Sequence, residues 1–176
     1  MSVADMCEAA VELSDNTYAN ALLARVGGPS VLTAFWRSIG DAASRLDHKE
    51  PELNRSPPGD PHDTTTPAAM AGTLRHLILG NVLSPNSRER PTGWMLGCKT
   101  GDNRLRAGLP KDWRVGDKSG NNGKDASGDI AVTWSTRGEP ALICAYTRGG
   151  TPTAGQVETV FAGIGRFVGM HLSSAV

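Results

Sequence analysis

Residues 45–63 limit the folds open to this chain more than any other stretch. The segment runs Arg45-Leu46-Asp47-His48-Lys49-Glu50-Pro51-Glu52-Leu53-Asn54 and continues through Pro57-Pro58-Gly59-Asp60-Pro61 to Asp63, with four prolines, a glycine and no apolar periodicity. It lies between two helical patterns. A connection of this length inside a compact domain is uncommon unless it performs a task. Within it, Glu50 and Asn54 stand four positions apart, so a carboxylate and an amide can converge on one water molecule, the geometry of a general base.

The remainder of the chain is that of an ordinary globular protein. Its 176 residues suit one domain with a buried core. With 39% hydrophobic and 20% charged residues it is neither a disordered nor a membrane chain. The 18 basic and 18 acidic residues cancel without forming blocks, so nothing points to nucleic acid or an anionic membrane as partner. The first residues, Met1 to Glu8, lack the basic start and apolar centre of a signal peptide. Cys7, Cys98 and Cys144 are too far apart for a CxxC motif and read as buried thiols. His48, His62, His76 and His171 show no zinc-ligand spacing, so neither a metal nor another cofactor is expected.

Periodicity sets the expected elements. Val3, Met6, Cys7, Ala10 and Val11 mark a helix capped by Ser2; Ser14-Asp15-Asn16 interrupts it, and a second helix runs from Thr17 to Arg25, stopped by Gly27-Gly28. Pro29 to Ile39 is a third. After the loop, Thr66-Pro67 opens a helix through Leu79, and Ser84 to Leu96 forms another despite Pro91. Three short strands follow, Trp113–Lys118, Asp129–Trp134 and Ala141–Tyr146, separated by polar turns that suit an antiparallel sheet. Val157 to Val168 gives a C-terminal helix with a wide apolar face. The expected fold class is α+β: a mostly helical part over about 1–108, holding the loop 45–63, and a sheet with its helix over about 109–176.

Three motifs occur in order: Ser14-Asp15-Asn16 between helices, Glu50-Pro51-Glu52-Leu53-Asn54 in the loop, and Asp117-Lys118-Ser119-Gly120 at the end of a strand. Together with the words around them (Ala9 to Leu13, Asp63 to Ala71, Val115 to Asp117), they resemble the class A serine β-lactamases across essentially the whole chain. That resemblance implies the serine β-lactamase and penicillin-binding-protein type of fold, here with an incomplete sheet.

It also implies roles. Ser14 matches the hydroxyl that relays a proton to the departing lactam nitrogen, and Asn16 the amide that holds the substrate's side-chain carbonyl. Alone, each would read as a helix cap. Glu50 matches the base that activates the deacylating water, and Asn54 the amide that helps to hold that water. Lys118 and Ser119 match the cation and hydroxyl that receive the substrate carboxylate. Gly120 matches the strand position where a side chain would block the ligand, and the backbone N–H of Asn121 matches half of an oxyanion hole. Arg104 matches one of the places from which the family supplies a carboxylate-binding arginine, while Arg106 reads as structural. Where the family usually has an arginine paired with the aspartate matching Asp63, this chain has His48, which implies a looser loop. Cys7 matches a position that in some members forms a disulfide.

One motif is missing. The family's nucleophile is the serine of Ser-x-x-Lys, and no Ser-x-x-Lys occurs in these 176 residues. The expectation is therefore the C-terminal part of a β-lactamase domain. Two readings follow: an enzyme that hydrolyses β-lactam antibiotics through a serine acyl-enzyme once the nucleophile segment is supplied, in trans if need be, or a non-catalytic remnant that at most binds β-lactams weakly. By resemblance the complete protein is a monomer, periplasmic or secreted.

Overall fold

The computed structural model describes residues 1–55 and 57–174; Ser56, within the proline-rich loop, and Ala175-Val176 lie outside it. The elements run α1 (Val3–Glu12), α2 (Asn16–Val26), α3 (Pro29–Ser38), the long loop with one 3-10 turn at Glu52–Arg55, α4 (Pro67–Leu74), α5 (Pro85–Leu96), α6 (Leu105–Gly108), β1 (Arg114–Asn121), β2 (Ala126–Trp134), β3 (Pro140–Arg148) and α7 (Ala154–Ser174).

Helix ends follow local chemistry. Ser2 and Asp5 form a reciprocal capping box on α1. Asp15 caps α2 through the backbone N–H groups of Thr17 and Tyr18, and Gly27 closes it in the left-handed region at φ 106°. Pro29, Pro67 and Pro85 each sit in a first turn, where the absent N–H costs nothing. Pro91 is accommodated inside α5. Beyond Leu74 the expected α-helix continues to Leu79 in the wider π form.

The sheet is antiparallel in the order β1-β2-β3, and its two faces bury different things. Val115, Ala131 and Ile143 point toward Leu105 and Leu109 around α6 and toward Phe161 of α7. Val132, with Ile130, Leu142 and Cys144 beside it, packs against Leu74 and Ile78 and against Met95 of α5. The short helix α6, which sequence periodicity did not reveal, is pressed directly onto α7. A Cβ on Gly108 would lie 1.9 Å from the Ala162 carbonyl oxygen, and one on Gly165 would lie 2.3 Å from that of Leu105, so both positions need glycine.

Five of the six expected strand limits change, β1 starting at Arg114 and β3 running from Pro140 to Arg148, and the two largest shifts meet at one hairpin. β1 does not stop at Lys118 but runs through Ser119 and Gly120 to Asn121, and β2 starts at Ala126. The turn between them is the cause. Asn122 Oδ1 accepts the backbone N–H groups of Lys124, Asp125 and Ala126 at 2.9–3.0 Å, which brings Ser119, Gly120 and Asn121 opposite Asp129, Gly128 and Ser127. No helix among the described residues is long and apolar enough to cross a membrane.

Candidate active site

Loop 45–63 is held by polar bonds at both ends and in its middle. At its start, Asp41 accepts the N–H groups of Ala43 and Ser44 and the hydroxyl of Thr73. Burial opposes the Asp41 charge, but these bonds outweigh it and keep the carboxyl below its usual range. At the neck, Arg45 grips Asp47 with two nitrogens, which holds the Asp47 carboxyl down at about 2. Asp63, in the left-handed region at φ 55°, accepts the N–H groups of Asp47 and His48 through Oδ1 and meets His48 Nδ1 through Oδ2 at 2.7 Å. The histidine thus makes one side-chain contact where an arginine fork could make two.

In the middle, Asn20 of α2 clamps Glu50 from both sides. Its Nδ2 donates to the Glu50 carbonyl at 2.9 Å, and its Oδ1 accepts the Glu50 N–H at 3.0 Å. This residue was not singled out in the sequence, where it lies 30 positions away inside a helix; an amide on the half-buried side of α2 is the signal that was there to use. The Glu50–Pro51 peptide bond is cis. The 3-10 turn brings Asn54 Nδ2 to 2.6 Å from Glu50 Oε2, so carboxylate and amide act as one polar unit. Burial raises the Glu50 carboxyl above its ordinary range, against the pull of the Asn54 bond and the Lys118 charge. A carboxylate raised in this way is a better base.

The second contribution comes from the turn between α1 and α2. Ser14 is not the cap of α2, because Asp15 takes that role, and Asn16 is the first helical residue. Ser14 instead adopts φ 59°, a conformation that costs a non-glycine residue about 1–3 kcal/mol and that clusters at functional sites. In that position its Oγ accepts a hydrogen bond from Lys118 Nζ at 2.9 Å across 104 residues of sequence. The hydroxyl proton remains available to another acceptor.

β1 supplies the rest. Lys118 also donates to the Ser119 carbonyl at 2.5 Å, and burial pushes its ammonium pKa down. Ser119 points to the opposite face, its hydroxyl 2.7 Å from the Thr100 hydroxyl and 3.0 Å from the Thr100 carbonyl oxygen. A Cβ built on Gly120 would meet nothing within 4 Å, so the space above the strand is open there. Arg104 reaches the same strand ends over the ring of Phe161, its Nη1 donating to the carbonyls of Gly120 at 2.9 Å and Gly128 at 2.6 Å. Arg106 is occupied with Asp117 and with the carbonyls of Met95 and Leu96.

Loop and sheet enclose a cleft of about 470 Å³ that has Leu53, Asn54 and His62–Thr65 on one side and Lys118–Asn122 on the other, with Tyr146 in its wall. Asn54, Lys118, Ser119, Gly120 and Asn121 line it directly. Glu50 joins it through Asn54, Ser14 through Lys118 and Arg104 through Gly120, whereas Asn16 is placed only by its position after the Asp15 cap.

Known proteins resemble this arrangement closely. Residues 1–172 match the family described as the Beta-lactamase enzyme family. Over 167 residues the chain is 53% identical to Beta-lactamase L2 of Stenotrophomonas maltophilia, covering 94% of this chain and 55% of that protein. Over 154 residues it is 46% identical to Beta-lactamase FAR-1 of Nocardia farcinica, covering 88% of this chain and 49% of that one. Among solved structures, an ancestral class A β-lactamase superposes with a TM-score of 0.93 at 56% identity, over 96% of this chain and 65% of that chain. The last common ancestor of Gram-negative class A β-lactamases gives 0.95 at 54% identity, over 98% and 66%. The chain spans about half the length of the curated relatives it matches.

Proposed function

Because the chain belongs to the β-lactamase enzyme family, we propose that it carries the deacylating and carboxylate-binding half of a serine β-lactamase of class A. The observation that carries this reading is the convergence, on one cleft, of the Glu50–Asn54 unit from the loop with the Ser14–Lys118 bridge from the two structural halves.

The substrate is a β-lactam, taken with its ring carboxylate toward Lys118, Ser119 and Arg104. Lys118 and Arg104 offer positive charge, and the Ser119 hydroxyl reaches the carboxylate by turning from its bond with Thr100. Asn16 serves the substrate's amide side chain, and the backbone N–H of Asn121 stabilises the oxyanion. Glu50 removes a proton from a water held with the help of Asn54, and that water attacks the acyl-enzyme carbonyl. Ser14, supplied with a hydrogen bond from Lys118, passes a proton to the lactam nitrogen. The nucleophilic serine comes from outside these 176 residues, since no Ser-x-x-Lys is present in them. The assembled enzyme acts as a monomer outside the cytoplasm. Alone, the chain is a binding body, a reading favoured by that same missing motif.

The test is turnover of a chromogenic cephalosporin by the purified chain, alone and mixed with a Ser-x-x-Lys-bearing segment of a relative, with Glu50→Gln as control. No turnover alone, and Glu50-dependent turnover in the mixture, is the expected outcome. Turnover by the chain alone that disappears in Glu50→Gln would place a nucleophile among these residues and overturn the assignment.

A further inference from the structure

Among the described residues, the buried side-chain atoms that lack a hydrogen-bond partner gather around one carboxylate. They are Asp117 Oδ2, Asp129 Oδ1, Thr133 Oγ1 and Arg106 Nε. Asp117 lies opposite Ala131 in the sheet register, so Asp129 and Thr133, two residues to either side of Ala131, are its diagonal neighbours on the same face. Arg106 is ion-paired to Asp117 itself. Both carboxylates are fully buried, at 0% exposure. Such clustering of orphaned polar atoms calls for a physical explanation.

Two buried carboxylates at diagonal positions on one sheet face oppose each other's ionisation. Burial raises Asp117, and burial together with the Asp117 charge brings Asp129 up to about 7. Segment 101–106 lies across the pair. Gly101 approaches so closely that a Cβ there would be 1.6 Å from Asp117 Oδ2, and the Leu105 N–H donates to Asp129 Oδ2 at 3.0 Å. Arg104 sits between these two anchors, and α6 is a single turn with no side-chain cap of its own besides the Asp129 bond.

We propose that Asp129 is a positioning residue for Arg104: it shares one proton with Asp117, and the resulting singly charged pair docks residues 101–106 so that the Arg104 guanidinium lies across the ends of β1 and β2. The proton lets one carboxyl donate to the other, which satisfies both orphaned oxygens with a single charge left for Arg106. The inference rests on the reading of Arg104 as a cation for the substrate carboxylate. On the face of the pair the charged groups are Asp102, Arg104 and Arg106 around α6, and Glu158 of α7, which accepts a hydrogen bond from Asn103 Nδ2 at 3.3 Å beside the ring of Phe161; Lys118 of β1 and Cys144 of β3 act on the pair from the opposite face of the sheet.

The test uses the 176-residue chain, Asp129→Asn and Asp129→Leu. Infrared spectroscopy reads the protonated carboxyl, NMR reads hydrogen exchange of the Arg104 guanidinium and the Leu105 amide, and benzylpenicillin is the titrant. The expected wild-type spectrum holds a protonated-carboxyl band at a pH where exposed carboxylates are ionised, and Asp129→Asn loses it. Asp129→Asn keeps the Leu105 and Arg104 protection, because its amide oxygen accepts the same bond. Asp129→Leu loses that protection and binds benzylpenicillin roughly tenfold or more weakly.

A missing band in the wild type would overturn the shared proton, and an unchanged Arg104 signal in Asp129→Leu would overturn the positioning role. Loss of Arg104 protection with unchanged benzylpenicillin affinity would support positioning while removing the carboxylate reading of Arg104. If Asp129→Leu does not fold, the pH dependence of the Arg104 signal decides. Dependence across neutral pH in the wild type and none in Asp129→Asn supports the proposal, and equal dependence in both overturns it.

Discussion

The two walls of the cleft are built on opposite physical principles. Among the described residues between 45 and 66 the loop wall contains no buried hydrophobic side chain, and its shape comes from carboxylates and amides that accept or donate backbone bonds: Asp41, Asp63 and Asn20. The sheet wall has its register fixed by antiparallel pairing and its faces fixed by Phe161, Leu105 and Val132, each with 0% exposure. The Glu50 carboxylate on the first wall and the Lys118 ammonium on the second therefore answer differently to mutation. Removing one bond from the loop moves Glu50, while the strand holds its place until the core itself fails.

The largest expected effect lies on the packed side. Phe161→Ala should lower the stability of the chain by about 3–5 kcal/mol, seen in chemical denaturation, and hydrogen-exchange protection should fall together in all three strands. A loss confined to α7 would break the contrast, because it would mean that the sheet does not depend on the core behind it.

A smaller and local effect is expected from Asn20→Ala. It leaves the N–H and C=O of Glu50 without partners, at about 1–3 kcal/mol for each group that stays buried. Exchange protection should drop in residues 46–54 and remain in β1–β3. Equal loss in the sheet would show that the loop is part of the same cooperative unit.

The smallest effect concerns His48. Its hydrogen bond to Asp63 raises its pKa, so the folded state binds its proton more tightly than the unfolded chain does. The stabilisation is complete below the ordinary histidine value of 6.5 and is lost as pH rises through the folded one. Loop protection should therefore weaken from mildly acidic to alkaline pH, and His48→Arg should flatten that dependence. An identical pH profile in the variant would sink the idea that this contact fastens the loop.

Much of this was legible in the sequence because long periodic segments announce themselves. The helix at Val3–Glu12, the stretch Val157–Val168 inside the helix Ala154–Ser174, the three strands and the loop that carries Glu50 all follow from apolar spacing and turn residues. Resemblance supplied Ser14, Lys118 and the rest, which periodicity has no means of marking. What escaped had physical reasons. A four-residue helix such as Leu105–Gly108 is too short to show a period. Ser119-Gly120-Asn121 has poor strand propensity and is strand only because a hairpin turn aligns it with β2. Asn20 acts across 30 residues of sequence, and Asp129 is a charged residue at a core position, visible only when 129, 131 and 133 are read as one inward face.

The central claim is that loop and strand, so differently built, form one ligand site. The most direct measurement is an NMR titration of the 176-residue chain with benzylpenicillin, following backbone amides at Asn54 on one wall and at Lys118, Ser119 and Asn121 on the other. The account predicts that both sets shift along a single binding curve and that Lys118→Ala abolishes both. Shifts on one wall alone, or at residues outside the cleft, would contradict it.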